Sequence, residues 1–343
     1  MNKTMKTSKK LAAITMAALL GMSALTGCGG AKTQTGTESG ADTKVYKVGV
    51  VQYADHPSLD NCREGFLEGL KEAGFEEGKN LEVSAKSAQG NDATNVQIAQ
   101  SFVSDKMDLV CGIATPSAMA LYNACYERKI PVIFNAVSDP VQAKLAKSTT
   151  EAMPGISGIS DALPVAQQLK LIRDILPDAK KVGIVYTTSE ANSVSTIAEY
   201  KELAGEYGFE IVEKGISNAA ELPQAMDILV GQVDCISNMT DNTVVNNLPV
   251  ELEKANAKNI PVFGSEEEQV ANGCIASAGI DYIALGKQAG AMAAKVLKGE
   301  DIAAMPYETI TESKITINPS AAEALGISIP ESVQSGAEVR EGK

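Results

Sequence analysis

What most constrains the fold of this chain is a strand-and-helix pattern that is written twice. From Lys47 onward, short β-branched runs alternate with amphipathic stretches. KVGVVQ (47–52) precedes a helical face made by Leu59, Cys62, Phe66, Leu70 and Ala73. LEVSAK (81–86), DLVCGIA (108–114) and PVIFNAV (131–137) follow, with helical patterns at 94–104 and 117–128 between them. Strands separated by helices pair in parallel through right-handed crossovers. The order then recurs: Lys47-Val48-Gly49-Val50-Val51 is echoed by Lys181-Val182-Gly183-Ile184-Val185 at an offset of 134. Asp108 to Cys111 is echoed by Asp234 to Ser237 at 126, and Ile130-Pro131-Val132 by Ile260-Pro261-Val262 at 130. Convergent strand composition would give similar echoes without duplication. Either way, an α/β fold of two Rossmann-like lobes with mainly parallel sheets is the simplest division of 343 residues.

The first lobe is expected to close near Gly155–Ser160, before the helical pattern 163–176. Late in the chain, the small-residue run 274–280, a helix over 282–298 and the segments 306–310 and 314–318 predict several crossings between lobes. The expected division is 45–157, with part of 280–310, for the N-terminal lobe. The C-terminal lobe takes 158–279 with part of 311–335, and a multi-strand hinge and a cleft lie between them.

Ahead of this domain, Lys3, Lys6, Lys9 and Lys10 precede an apolar run from Leu11 to Met22, then Leu25-Thr26-Gly27-Cys28. The run is too short for a ~30 Å hydrocarbon core, so residues 1–27 read as a cleaved lipoprotein signal with Cys28 lipidated. An uncleaved anchor is the other reading. Residues 28–44, rich in Gly, Thr and Ser, read as a flexible tether. The chain is expected to be lipid-anchored on the extracytoplasmic face of a bacterial membrane.

Losing residues 1–27, with four lysines and no acids, moves the net charge from −13 to −17. So acidic a chain argues against nucleic acid as a partner. Cys62, Cys111, Cys125, Cys235 and Cys274 form no C-x-x-C pair and read as buried thiols, with one distant disulfide as the alternative. His56 is the only histidine, so neither a metal site nor a cofactor is expected, and no catalytic constellation or P-loop is present.

In open α/β sheets, ligands bind beyond the carboxyl ends of the strands. That rule singles out Gln52, Tyr53, Asp55 and His56 after the first strand, Gln89 and Asn91 after the second, Thr115, Pro116 and Ser117 after the third, and Ser138 and Asp139 after the fourth. The second lobe contributes Tyr186 to Ser193, with Ser189, Asn192 and Ser193 among them, then Thr240, Asp241 and Asn242, then Ser265, Glu266 and Glu267, and the late crossing adds Asp281 and Tyr282. Thr115-Pro116-Ser117 and Ser189–Ser193 each read as a plain helix cap or as an anion cradle at a helix N-terminus. Asp241 and Asp281 read as N-caps or as partners of a ligand ammonium. His56, before Pro57, reads as a turn residue rather than a catalytic base. Glu266-Glu267-Glu268 reads as a solvated first helical turn.

The segments VGVVQYADHPSLDNCREGF, AQGN, IATPSAM, FNAVSDP, YTTSEANSV, TDNTVV and GIDYIALGKQAGAMAAKVL occur in order over about residues 45–330. Together they resemble the substrate-binding lipoproteins of ABC importers, in the group that takes up aromatic amino acids. The resemblance implies a type I periplasmic-binding fold that delivers its ligand to a permease driven by a separate ATPase. It also implies that Thr115 and Ser117 form one anion site and Ser189, Asn192 and Ser193 the facing one, with Asp241 and Asp281 as acidic positions at the cleft. Because the chain has no Trp, an aromatic ligand would stack on Tyr53, Tyr186 or Tyr282. A ligand-sensing lipoprotein for a membrane receptor and an exported enzyme on the same scaffold are the alternatives.

Overall fold

A computed structural model describes residues 44–310 and 312–341. The expected signal, Cys28 and the tether up to Thr43 lie outside the described residues. Strands β1 (Tyr46–Gln52), β2 (Leu81–Ser87), β3 (Leu109–Ile113), β4 (Val132–Asn135) and β5 (Ile156–Ser160) come first in the chain. Next are β6 (Lys181–Thr187), β7 (Glu210–Ile216), β8 (Cys235–Ser237), β9 (Val262–Phe263) and β10 (Ala276–Gly279). The last are β11 (Glu308–Thr309), β12 (Lys314–Ile317) and β13 (Glu338–Val339). They form a six-stranded sheet ordered β11-β5-β4-β3-β1-β2 and a seven-stranded sheet ordered β13-β12-β10-β9-β8-β6-β7. Pairing is parallel throughout except between β10 and β12.

The inner orders, 5-4-3-1-2 and 10-9-8-6-7, are the same topology, and the sequence echoes mark equivalent bonds in it. Asp108 accepts from the Lys47 amide at 2.8 Å, and Asp234 accepts from the Lys181 amide at 2.8 Å. Val110 donates to the Pro131 carbonyl, as Ile236 does to that of Pro261. An aspartate one strand away thus satisfies the entering backbone of each lobe's first strand, so the echoes have a structural cause.

Helices cover both sheets: α1 (Pro57–Glu72), α2 (Asp92–Ser104), α3 (Thr115–Cys125), α4 (Val165–Ile175), α5 (Ala191–Leu203), α6 (Leu222–Leu229), α7 (Asn242–Asn246), α8 (Leu248–Asn256), α9 (Glu267–Ala271) and α10 (Tyr282–Leu297). The first sheet's core gathers Val48, Val50, Phe66, Phe102, Ile113, Leu121 and Phe134, all fully buried. The second sheet is flanked by two apolar layers, around Leu169 and Tyr200 on one face and Leu229 and Met226 on the other. All five cysteines in the described residues are buried and free. No described helix is long and apolar enough to cross a membrane.

The chain passes between sheets after β5, after β10 and between β11 and β12. The middle crossing sends α10 back onto α1, where Gly65 and Gly69 face Gly286 and Gly290. A Cβ on any of the four would collide with backbone of the opposite helix, for example at Gly65 with the Ile283 carbonyl. Past β12 the chain adds short helices at Pro319–Ala324 and Glu331–Gln334 and ends on β13, which pairs with β12. These elements are too short to carry a readable hydrophobic period.

Candidate functional site

The two lobes touch. Ser138 and Thr240 share a hydrogen bond of 3.0 Å, and Glu268 accepts from Ser58 at 3.3 Å and from Asn61. Between them is a small cavity of about 20 Å³, room for one or two waters. Strand ends of both lobes line it. His56, Leu59, Ala114, Thr115, Ala136 and Ser138 come from one side. Asn192, Thr240, Asn242, Val245 and Glu266 come from the other, with Asp161 and Tyr282 at the crossings.

The first lobe presents donors. Ala114, the N-cap of α3, sits at φ 75 and ψ 154, and Ala136 after β4 at φ 58. Both are strained for a residue with a Cβ, costing ~1–3 kcal/mol each, and such strain collects at ligand clamps. No side chain caps α3, so the amides of Thr115 and Ser117 keep their hydrogen-bonding capacity at the positive end of the helix.

The second lobe and the crossings present acceptors. Asp161 Oδ1 accepts from Ser138 at 3.0 Å and Oδ2 from Tyr282 at 3.2 Å. Glu266 accepts from Gln269 at 3.2 Å. Their exposures are only 3% and 2%, and among the described residues no lysine or arginine offsets either charge. Burial pushes Asp161 up to about 6 and moves Glu266 upward as well. Asn192 donates its Nδ2 to Glu190 at 3.1 Å and to the Thr240 carbonyl at 2.8 Å. A flipped amide would set oxygen against those two acceptors, so Oδ1 is fixed as the unpartnered atom, and it is buried.

Burial also raises Glu190, Glu251 and Glu268, desolvation being the main cause in each. Such groups bind more protons folded than unfolded between about pH 4 and 7, so their contribution to stability falls as pH rises through that window. The ligand-free protein should therefore lose stability from pH 4.5 to 7.5 more steeply than its Asp161→Asn variant. Thermal melts at several pH values check this; equal slopes would count against it.

His56, Thr115, Ser138, Asn192, Thr240, Asn242, Glu266 and Tyr282 reach the cavity among the residues the sequence singles out. Ser117 is buried just behind, donating to Asn95 at 3.0 Å. Tyr53 borders the cleft mouth, its hydroxyl donating to Asp92 at 2.9 Å, and Ser189 lines the same mouth. Gln52 ties down its own loop, donating to the Ala54 carbonyl and to Asp60. Tyr186 packs on the second lobe's core, and Asp139 caps a turn at Val141 and Gln142.

Both aspartates expected at the cleft are employed elsewhere. Asp241 accepts from the Thr187 amide and hydroxyl, from Ser193 at 2.7 Å and from the Val244 amide at 2.9 Å, which fills its capacity. Asp281 is a part-exposed N-cap, bonded to the Ala284 amide and 3.5 Å from Lys314. Glu267 pairs with Arg340 at 2.9 Å, away from the cavity. Glu190 occupies the start of α7, accepting from the amides and side chains of Asn242 and Thr243, while α5, which opens at the facing Ser189–Ser193 segment, has no side-chain cap. Glu266, read as a solvated helix start, is buried, and Asp161 was not singled out although it directly follows β5. Among the described residues, no group of three or more His, Cys, Asp or Glu is arranged to hold a metal ion.

Residues 47–340 match the model of a family described as ABC transporter substrate binding protein. A relative called tyrosine-binding protein, from Clostridioides difficile strain R20291, is 40% identical over 93% of this chain and 92% of its own. A structure described as an ABC domain in complex with L-Trp, from Streptococcus pneumonia, superposes with a TM-score of 0.84 at 32% identity, covering 86% of this chain and all of that one. The ligand-free, open structure of a substrate binding protein with adhesive properties, from Clostridium difficile, gives 0.67 at 38% identity, covering 87% of this chain and all of that one. This two-lobed chain, with its polar strand ends gathered where the lobes meet, belongs to the ABC transporter substrate-binding family.

Proposed function

We propose that the protein captures a free aromatic α-amino acid between its lobes and hands it to a membrane permease powered by a separate ATPase. The observation that carries this reading is the polarity of the cavity. Uncapped α3 amides with Thr115 suit a carboxylate, and the cation-free buried pair Asp161 and Glu266 suits an ammonium. Relatives named for tyrosine and bound to L-Trp support an aromatic ligand. The superposition supports a closed arrangement of lobes, since the less identical Trp complex fits better than the open structure. A ring does not fit the cavity as it stands, so the hinge must part to admit one, with Leu59 and Val245 as apolar walls from opposite lobes.

Calorimetric titration tests the zwitterion reading. L-Tyrosine should bind, whereas tyramine, without a carboxylate, and 4-hydroxyphenylpropionate, without an ammonium, should bind at least about a hundredfold more weakly. Equal affinity for either truncated compound would contradict it.

The reading also includes the lipid anchor, supported by Leu25-Thr26-Gly27-Cys28 behind an apolar run. Cys28→Ala should appear in the soluble fraction or accumulate as unprocessed precursor. A processed variant retained on membranes would count against lipidation.

A further inference from the structure

His56 is the N-cap of α1, in the extended backbone usual at that position and required before Pro57, but its side chain makes no capping bond. The imidazole instead lines the interlobe cavity, only 7% exposed, with no hydrogen-bond partner for Nδ1 or Nε2. Burial lowers it to about 4, against the upward pull of Asn242, Asp60 and Asp55, so at neutral pH the ring is uncharged. A neutral imidazole carries one N–H donor and one lone pair, and leaving such groups buried and unpaired costs stability. Asn242 stands close enough to pull on the ring, yet among the described residues none meets either nitrogen in hydrogen-bonding geometry.

The position of His56 indicates what does. Along the first sheet the cavity residues follow strand order, Asp161 after β5, Ser138 after β4, Thr115 after β3 and His56 after β1. At ~4.8 Å per strand, the axes of β5 and β1 are about 14 Å apart. An ammonium held by Asp161 and Glu266, with its carboxylate near Thr115, leaves only the far end of the ligand's side chain to reach His56. On the second lobe the unpartnered Asn192 Oδ1, beyond β6, lies toward the same end. Both therefore offer acceptors where a ring substituent would arrive.

Resting on the amino-acid reading above, we infer that His56 recognises a polar hydrogen on the ligand's ring, so that the site selects phenol- or indole-bearing amino acids over phenylalanine. A ring O–H or N–H donates to the imidazole lone pair, whereas phenylalanine leaves that atom buried and unpaired.

Titration of wild type, His56→Leu and His56→Gln with L-tyrosine, L-tryptophan and L-phenylalanine tests the assignment. Wild type should bind tyrosine, tryptophan or both about tenfold to a hundredfold more tightly than phenylalanine. In His56→Leu that preference should collapse, with phenylalanine affinity held or improved, and His56→Gln should restore part of it. The ligand-free melting temperature of His56→Leu should not fall, since the imidazole has no partner to lose. A preference unchanged in both variants, or a wild type that binds all three amino acids equally, overturns the role of His56 and leaves the amino-acid reading standing. A wild type that binds none of the three overturns both.

Discussion

Glu266→Gln and Asp161→Asn should each weaken binding of an aromatic amino acid by ~2–5 kcal/mol, the range for truncating one member of a buried charged pair. Both carboxylates are almost fully buried, and neither faces a lysine or arginine among the described residues. In the ligand-free protein that arrangement costs stability, because desolvation favours the protonated form. A bound ammonium would supply the missing cation and pull both groups back toward ionisation, so affinity should also rise with pH through the range where Asp161 titrates, near 6. The amide variants keep the shape and remove the charge. Ligand-free, they should be at least as stable as wild type, which separates a binding role from a folding one. Asp281→Ala is the contrast: a part-exposed cap, it should cost ~1 kcal/mol of stability and leave affinity unchanged. If Glu266→Gln and Asp161→Asn both bind like wild type in calorimetry, the ammonium assignment fails.

The second large effect is on folding. α10 reaches the first lobe only after the chain has built most of the second, and it seats its Gly286 and Gly290 against Gly65 and Gly69 of α1. Side chains on either helix would have to occupy space already filled by backbone. Gly→Ala gains up to ~1 kcal/mol of helix propensity, but the collision forces the helices apart and costs ~1–3 kcal/mol, more for a larger side chain. Gly290→Leu should therefore lower the melting temperature sharply, and Gly65→Ala by less. α10 begins at Tyr282, whose hydroxyl bonds Asp161, so separation of the helices should also weaken ligand binding. A Gly290→Leu variant that melts with wild type would show that the helices do not meet this closely.

The strand runs were legible because both sheets are buried on two faces, and parallel buried strands appear as continuous apolar segments. The echoed Asp108 and Asp234 were legible for a chemical reason, since each closes the same backbone bond. The strand-end rule reached Thr115, His56, Ser138, Asn192, Thr240, Asn242, Glu266 and Tyr282. It passed over Asp161 because Gly155–Ser160 reads as the closing strand of a lobe, when its end is also the start of a crossing into the cleft. It could not tell a carboxylate turned inward from one facing the cavity. Asp241 and Glu190 are consumed by Thr187, Ser193, Asn242 and Thr243, partners up to 54 positions away in sequence, and only the folded arrangement reveals that. Glu266 misled in the opposite direction: a run of three glutamates suggests a solvated turn, yet contact between the lobes buries its first member.

The most direct test of the account is a crystal structure of the protein grown with L-tyrosine. The account predicts one amino acid between the lobes, its ammonium within hydrogen-bonding distance of Asp161 and Glu266 and its carboxylate at the Thr115 end of α3. A ligand seated outside the interlobe cavity, or one reversed so that its carboxylate meets Asp161 and Glu266, would contradict it.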